Sequence, residues 1–317
     1  LAAGKHVVTA NKALLAHHGQ ALAELAEKNG VNLRFEAAVA GGIPVIQVLT
    51  EGFAAHRITG VMGVMNGTCN YSLTRMEKSH RSYEEIFEEA HALGYLEADP
   101  QLDVGGIDAG HKLALLSAIA FGTQVDFQGV DIQGIDHIEL ADIEAAQDMG
   151  YRIKLLGVAK MTEAGLVQTM NPSLVPHDSP LAQLDGGTNM LVIEGDAVGQ
   201  LVMRGAGAGE GPTASAVMGD VMDIARGLLI PVFGQPAKSL RNATAVQTER
   251  ETAFYIRLSL RDQPGVLRRV SAELANAGIS INRVRQQSHD ETDAARVLIL
   301  THATKHATVA LAVRGID

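Results

Sequence analysis

One cysteine, Cys69, leaves no partner for an internal disulfide, and the 12 histidines form no Cys/His cluster with zinc spacing. Both absences point to a reducing, cytoplasmic setting. Lysine and arginine nowhere gather into a block, and the formal charge is −10 at pH 7. That removes the electrostatic footprint of a nucleic-acid binder or a basic membrane anchor. No apolar run reaches the roughly 18 residues of a membrane-spanning helix, and no secretory signal pattern occurs. No internal repeat or low-complexity tract is visible. What is present is a 317-residue chain, 46% hydrophobic and with 33 glycines, long enough for two or three domains that each bury a core. Small molecules are the expected partners, with no nucleic acid and no membrane.

The patterning of the chain is that of an α/β protein. "GKHVVTANKALLAHHG" reads as a helix stop at Gly4, a buried strand from Lys5 to Thr9 and a helix opening at Asn11. That helix runs to about Asn29, Gly30 ends it, and residues 31–39 return as a strand, the crossover of a parallel sheet. "GGIPVIQVLTEG" supplies a short helix with Pro44 in its first turn, "HRITGVMGVMNG" a strand, and "YEEIFEEAHALG" a surface helix. From about 126 to 205 the pattern predicts antiparallel hairpins, and "GAGAGEGPTASAV" a glycine loop opening a helix. Residues 235–247 read as a linker. From Thr252 onward the expected order is β-α-β-β-α.

Four stretches carry candidate chemistry. In "GYLEADPQLDVGGIDAGHKLALLSAIAFG", residues 94–122, Asp108 and Lys112 are one helical turn apart, an arrangement worth only a few tenths of a kcal/mol if exposed. Ile107, Leu113, Leu115, Leu116, Ile119 and Phe121 wrap the same helix on nearly every side, so the pattern predicts burial. A buried lysine needs a partner or loses its charge, and an acid-paired one is suited to protonating an oxygen that turns negative during reaction. Upstream, Glu97, Asp99 and Asp103 could hold a substrate ammonium. His111 fits packing. In "TANK", Lys12 stands where a strand ends and a helix starts, the ligand-binding edge of a parallel sheet, although spacing alone favours an ordinary surface lysine. "RGAGAGEGPTAS" joins strand to helix through glycines; it suits either close approach to an anionic ligand or a tight turn, and no register completes G-x-G-x-x-G. In "EAAVAGGIP", Glu36 precedes a glycine-broken backbone whose oxygens could face a hard cation.

In this order, "GKHVVTANKALLA", "EAAVAGGIPVI", "MNGTCNY", "LGYLEADPQLDVGGIDAGHKLALL" and "GAGAGEGPTASAV" resemble the homoserine dehydrogenase family over residues 1 to about 240. "LSLRDQPGVLRRVSAELANAGISI" resembles an ACT domain, a small amino-acid-sensing module. The resemblance implies reversible NAD(P)H-dependent reduction of L-aspartate 4-semialdehyde to L-homoserine, on the route to threonine, methionine and isoleucine. It implies that Lys112 donates the proton to the developing alkoxide, that Asp108 contacts substrate and orients Lys112, and that Lys12 sits near the nicotinamide and the reacting carbon. Gly94, Glu97 and Asp103 would line the pocket for the homoserine amino end. Gly207, Gly209 and Gly211 would approach the cofactor. Glu36 by its carboxylate, and Val39, Gly41 and Ile43 by their carbonyls, would hold a structural sodium ion. Cys69 has no role that demands a thiol. In the ACT module, Asp262 and Gly265 would form an effector site, with threonine as the feedback inhibitor. A homodimer built on the second domain's sheet is implied as well.

The implied architecture is a partial Rossmann-like nucleotide-binding domain (residues 1–37 and 206–242), an α+β catalytic and dimerisation domain (38–205) and a ferredoxin-like ACT domain (252–317) without its last strand. The family's nucleotide fingerprint would lie in about one hundred residues ahead of Leu1, a domain-size expectation. Two rival readings are an amino-acid-binding regulatory protein without catalysis and an aspartate kinase tail fused to an ACT module. Asp108, Lys112, Glu97 and Lys12 argue against the first, and the lysine helix is unexplained by the second.

Overall fold

The computed structural model describes residues 1–92, 100–246, 251–288 and 294–316. Two compact units result, one of residues 1–144 and 150–246, the other of 145–149 and 247–317. In chain order the first contains β1 (Val7–Val8), α1 (Lys12–Lys28), β2 (Leu33–Arg34), a 3-10 turn (Glu36–Ala38), α2 (Val45–Gln47) running into a π turn (Val48–Gly52), β3 (Ile58–Val64), α3 (Gly67–Ser79), α4 (Tyr83–Ala92), α5 (Pro100–Val104) and α6 (Ile107–Phe121). There follow β4 (Asp131–Ile132), α7 (Leu140–Asp148), whose residues from 145 on are grouped with the second unit, the hairpin β5 (Tyr151–Met161) and β6 (Leu166–Pro176), the hairpin β7 (Thr188–Gly195) and β8 (Gly199–Ala206), and α8 (Glu210–Ala225).

β1 and β2 pair in parallel around α1, as the crossover pattern predicts. The expected strand over 31–39 stops at Arg34, however, and the chain turns into the 3-10 segment at Glu36. Side-chain demands win over strand propensity there: the Glu36 amide donates to Asp220 Oδ2 at 2.9 Å, and its buried carboxylate accepts the amides of Ile46 (2.9 Å) and Gln47 (2.8 Å). A strand would carry that carboxylate away from its donors.

The larger sheet has six strands in the order β4-β6-β5-β3-β7-β8, antiparallel except for the β4–β6 pair. α6 packs on β3, β5 and β6 and also against α1. It is bounded by glycines in the left-handed region, Gly106 (φ 79°) and Gly122 (φ 62°), where other residues would be strained. Nearly every residue between them is buried, including Asp108, His111 and Lys112, so the exposed-pair reading of Asp108 and Lys112 does not hold. Residues 235–246 are also not a free linker. The Arg241 amide donates to the Gly122 carbonyl, its own carbonyl accepts the Gln124 amide, and Leu166 exchanges backbone hydrogen bonds with Thr244 and Val246. Ala237 and Leu240 are buried as well, too few apolar residues to give a periodic pattern.

The second unit contains β9 (Tyr255–Arg261), α9 (Val266–Asn276), β10 (Ile281–Ser288), β11 (Ala294–Thr301) and α10 (His306–Ile316), the order read from the sequence. Its antiparallel sheet runs β10-β11-β9. Ile256, Val297 and Ile299 on the sheet meet Val270 and Leu274 of α9 and Val309 and Ala312 of α10 in one apolar core. Among the described residues no helix is long and apolar enough to cross a membrane.

Candidate active site

The polar side of α6 meets the start of α1 and the turn between β3 and α3. Lys112 Nζ donates to Asp108 Oδ2 at 2.7 Å and to the Met65 carbonyl at 3.0 Å, and Lys12 Nζ lies 2.9 Å from Asp108 Oδ1. Asp108 therefore stands between two ammonium groups, 7% exposed, while Lys112 is 8% exposed. Burial pushes the Asp108 carboxyl up, but Lys112 and Lys12 together outweigh it and hold the group below its ordinary range. The site thus keeps one carboxylate ionised in a dry environment with two cations on it. Of the three N–H bonds on Lys112, two are directed by Asp108 and Met65, which leaves the third for a bound oxygen.

Lys12 is not the surface lysine that its spacing suggests. Asn11 caps α1 by accepting the Leu14 amide at 2.9 Å, which starts the helix at Lys12 and sends its side chain to the acid. Asp103, on α5, joins the same cluster through Asn66. Gly94, Glu97 and Asp99 lie outside the described residues. His111 sits 4.2 Å from the Phe127 ring and 5.4 Å from His17, centroid to centroid, and burial and His17 push its pKa down, as befits a packed neutral ring. Cys69 is fully buried and its thiol donates to the Asp103 carbonyl at 3.2 Å. Burial and the nearby Asp103 and Asp108 raise its pKa well above the usual thiol range, so it is an inert packing group.

Two asparagines in the cluster have no role among the sequence-based expectations, although Asn66 lies in the stretch "MNGTCNY". Asn66 Nδ2 donates to Asp103 Oδ1 at 2.8 Å and to Asp108 Oδ2 at 3.2 Å. Asn189, on β7, donates from Nδ2 to the Met65 carbonyl at 3.0 Å, the oxygen that also receives Lys112. The available signal was the helix-cap pattern of "MNGTCNY", where Asn precedes a helix; for Asn189, inside the apolar run "TNMLVIEG", it was a lone amide in a buried strand.

The glycine loop after β8 divides into three cases. A Cβ on Gly207 would fall 2.2 Å from Asn189 Cγ, so packing on the site's own amide already requires glycine there. Gly209 caps α8 at φ 121°, a conformation other residues rarely adopt. Gly211 has neither reason, since nothing lies within 4 Å of its missing Cβ, and that open space at a helix start is where a ligand's phosphate could approach. The loop is tied to the Glu36 segment: the Gly41 amide donates to the Gly207 carbonyl at 3.1 Å and the Gly42 amide to the Ala206 carbonyl at 2.9 Å.

Around Glu36, burial pushes the carboxyl up to about 7, against the pull of the Ile46 and Gln47 amides and Arg34, with Asp220 pushing the same way as burial. Ala40 adopts φ 49°, and the Ile43 carbonyl accepts the Val45 amide at 2.7 Å. Among the described residues no backbone amide is bonded to the carbonyls of Val39 or Gly41. Among them, too, no three His, Cys, Asp or Glu side chains gather as metal ligands, so a cation here would rest mainly on backbone oxygens.

In the second unit, a cavity of about 390 Å³ opens at the turn from β9 into α9, lined by Asp262, Gln263, Gly265 and Gln286 among others. Gly265 caps α9 at φ 91°, and Asp262 is exposed. An acid and a helix start at one cavity offer complementary charge to an amino acid's two ends.

Residues 44–222 match the family model described as homoserine dehydrogenase, residues 1–36 the one described as homoserine dehydrogenase NAD binding domain, and residues 254–314 the ACT domain. The homoserine dehydrogenase of Neisseria gonorrhoeae is 42% identical over 321 residues, a match covering 99% of this chain and 74% of that protein. A crystal structure of a homoserine dehydrogenase from Thiobacillus denitrificans superposes with a TM-score of 0.92 at 40% identity, covering 98% of this chain and 72% of that one. A hyperthermophilic archaeal homoserine dehydrogenase in complex with NADPH superposes with a TM-score of 0.62 at 28% identity, covering 70% and 65%.

Proposed function

The chain belongs to the homoserine dehydrogenase family of NAD(P)-dependent oxidoreductases, carrying an ACT domain, and from that premise we propose that Lys112 is the proton donor and acceptor at the homoserine hydroxyl. The observation that supports it most is the placement of the Lys112 ammonium between Asp108 and the Met65 carbonyl with one N–H to spare. In the reducing direction Lys112 gives its proton to the aldehyde oxygen as that oxygen turns negative; in the oxidising direction it takes the proton back from the hydroxyl. Asp108 orients Lys112 and offers a polar contact to substrate. Gly94 and Glu97 would hold the amino end, Asp103 would line the same pocket, and Lys12 would sit near the reacting carbon while it balances Asp108.

A bound NAD(P) supplies the hydride acceptor for the carbinol carbon, or the donor in reverse. Gly207, Gly209 and Gly211 would hold it, Gly211 by leaving space at the start of α8, and Lys12 would border the nicotinamide. Glu36, with the carbonyls of Val39, Gly41 and Ile43, would hold a sodium ion that stiffens the loop bonded to Ala206 and Gly207. The residual nucleotide-binding part would be 1–37 with 206–242, the catalytic part 38–205 and the ACT module 252–317. Asp262 and Gly265 would bind an amino-acid effector, threonine by family analogy. A homodimer across the six-stranded sheet would cover Val198 and Val202, 48% and 39% exposed at its β8 end; the place of action is the cytoplasm.

Homoserine-dependent reduction of NAD and of NADP by the intact enzyme tests the reading, and no reduction of either would end it. Light scattering tests the dimer, which a monomer at micromolar concentration would refute.

A further inference from the structure

Asn66 is a neutral group that touches two acids of the site, Asp103 and Asp108. It is the N-cap of α3, with extended backbone (φ −119°, ψ 113°), and its Oδ1 accepts the Cys69 amide at 2.8 Å. That bond fixes the amide's orientation, because the Nδ2 end cannot accept a hydrogen bond and so cannot take the cap position. The NH2 group is left facing the carboxylates, one hydrogen to Asp103 Oδ1 at 2.8 Å and the other to Asp108 Oδ2 at 3.2 Å. Asp108 Oδ2 is the same oxygen that takes Lys112, at 2.7 Å.

Two buried carboxylates this close repel each other and compete for the nearest cation. Asn66 is 3% exposed, Asp103 5% and Asp108 7%, so water does little to screen them. A donor shared between them lowers that repulsion without supplying charge, and it leaves the Lys112 ammonium committed to Asp108.

We infer that Asn66 is a positioning residue for the proton transfer: its amide bridges Asp103 and Asp108 and keeps Lys112 committed to Asp108. The helix cap is the device that aims it, so a fold signal and a catalytic one share a single side chain. The inference rests on Lys112 being the proton donor.

The test compares Asn66→Ser and Asn66→Asp in the intact enzyme, with Lys112→Ala alongside. Both replacements keep a capping oxygen, so the fold should persist. Serine is too short to reach the acids; kcat should fall by about tenfold or more, with the KM for homoserine changed by less than about threefold, the mark of an interaction that matters in the transition state. Aspartate replaces the donor by a third carboxylate, whose protonated form can donate again. The ratio of Asn66→Asp to parental kcat should therefore rise as pH falls, a trend that loss of packing alone would not give. Ratios near one for both variants at every pH would overturn the inference. Should Asn66→Asp not fold, Asn66→Ser decides by itself, with kcat within about threefold of the parent counting against. Full turnover in Lys112→Ala would instead remove the proton-donor assignment, whereas an inactive Lys112→Ala beside a normal Asn66→Ser would remove only the role of Asn66.

Discussion

Lys12 Nζ lies 2.9 Å from Asp108 Oδ1, so the first residue of α1 and the first turn of α6 form an ion pair on the far side of the carboxylate from Lys112. Asp108 is held below its ordinary pKa despite burial because both cations act on it. Removing Lys12 takes away one of the downward pulls. In Lys12→Ala, kcat/KM for homoserine should fall by roughly 10 to 100-fold, and its acid limb should move to higher pH. A pH-rate profile of the variant checks the shift; an unmoved limb would mean that Lys12 does not act on Asp108.

The same carboxylate makes stability depend on pH. A carboxyl whose pKa is lowered on folding adds stability that is complete above its unfolded value, 3.8, and is lost as pH falls through the folded one. Asp108→Asn should therefore cost about 3 kcal/mol or more near pH 7, since it leaves buried lysine charge uncompensated. The gap from the parent should begin to narrow below about pH 4, as the carboxyl of the unfolded parent takes up a proton, and close only once pH falls through the lower folded value. Urea unfolding of both proteins from pH 7 downward would show it.

Gly207→Ala places a Cβ 2.2 Å from Asn189 Cγ, and Asn189 supports the carbonyl that holds Lys112. Overpacking at such a site costs about 1–3 kcal/mol. The melting temperature should fall, and kcat should fall with it, because the displaced amide loosens Met65. Gly211→Ala, with nothing within 4 Å of the new Cβ, should leave stability nearly unchanged while raising the KM for NAD(P). Equal thermal shifts in the two variants would contradict the distinction.

Much of this arrangement was legible in the chain because helical spacing and burial are local properties. Asp108 and Lys112 fall one turn apart on a helix whose apolar residues face nearly every side, and the structure buries that helix. Lys12 was legible only as an edge residue, since its partner is set by the packing of α1 on α6. Asn66 and Asn189 were hidden for a different reason: an amide's meaning is in its partners, and those partners come from α5, α6 and the β3–α3 turn. The early end of β2 at Arg34 was missed because strand propensity carries no record of Asp220, Ile46 and Gln47, the groups that hold Glu36. Residues 235–247 read as a linker because much of the anchoring of 235–246 is through backbone hydrogen bonds, and the buried Ala237 and Leu240 make no periodic pattern.

The proposed effector site of the second unit is the cavity lined by Asp262 and Gly265. Threonine can inhibit only if it binds the less active arrangement better than the active one. Titrating threonine into the intact enzyme and into Asp262→Ala should show inhibition in the first and a loss of sensitivity by about tenfold or more in the second, consistent with removal of a charged contact. Equal sensitivity of the two would take Asp262 out of the effector site.

The most direct measurement is turnover and homoserine binding in Lys112→Ala. Asp108 keeps Lys12 and Asn66 in that variant, so the pocket retains its acid while it loses the proposed proton donor. With folding verified by melting temperature, kcat should fall by about 10²–10⁴-fold while the Kd for homoserine changes by less than about threefold. Near-normal turnover in the folded variant would contradict the assignment of proton transfer to Lys112.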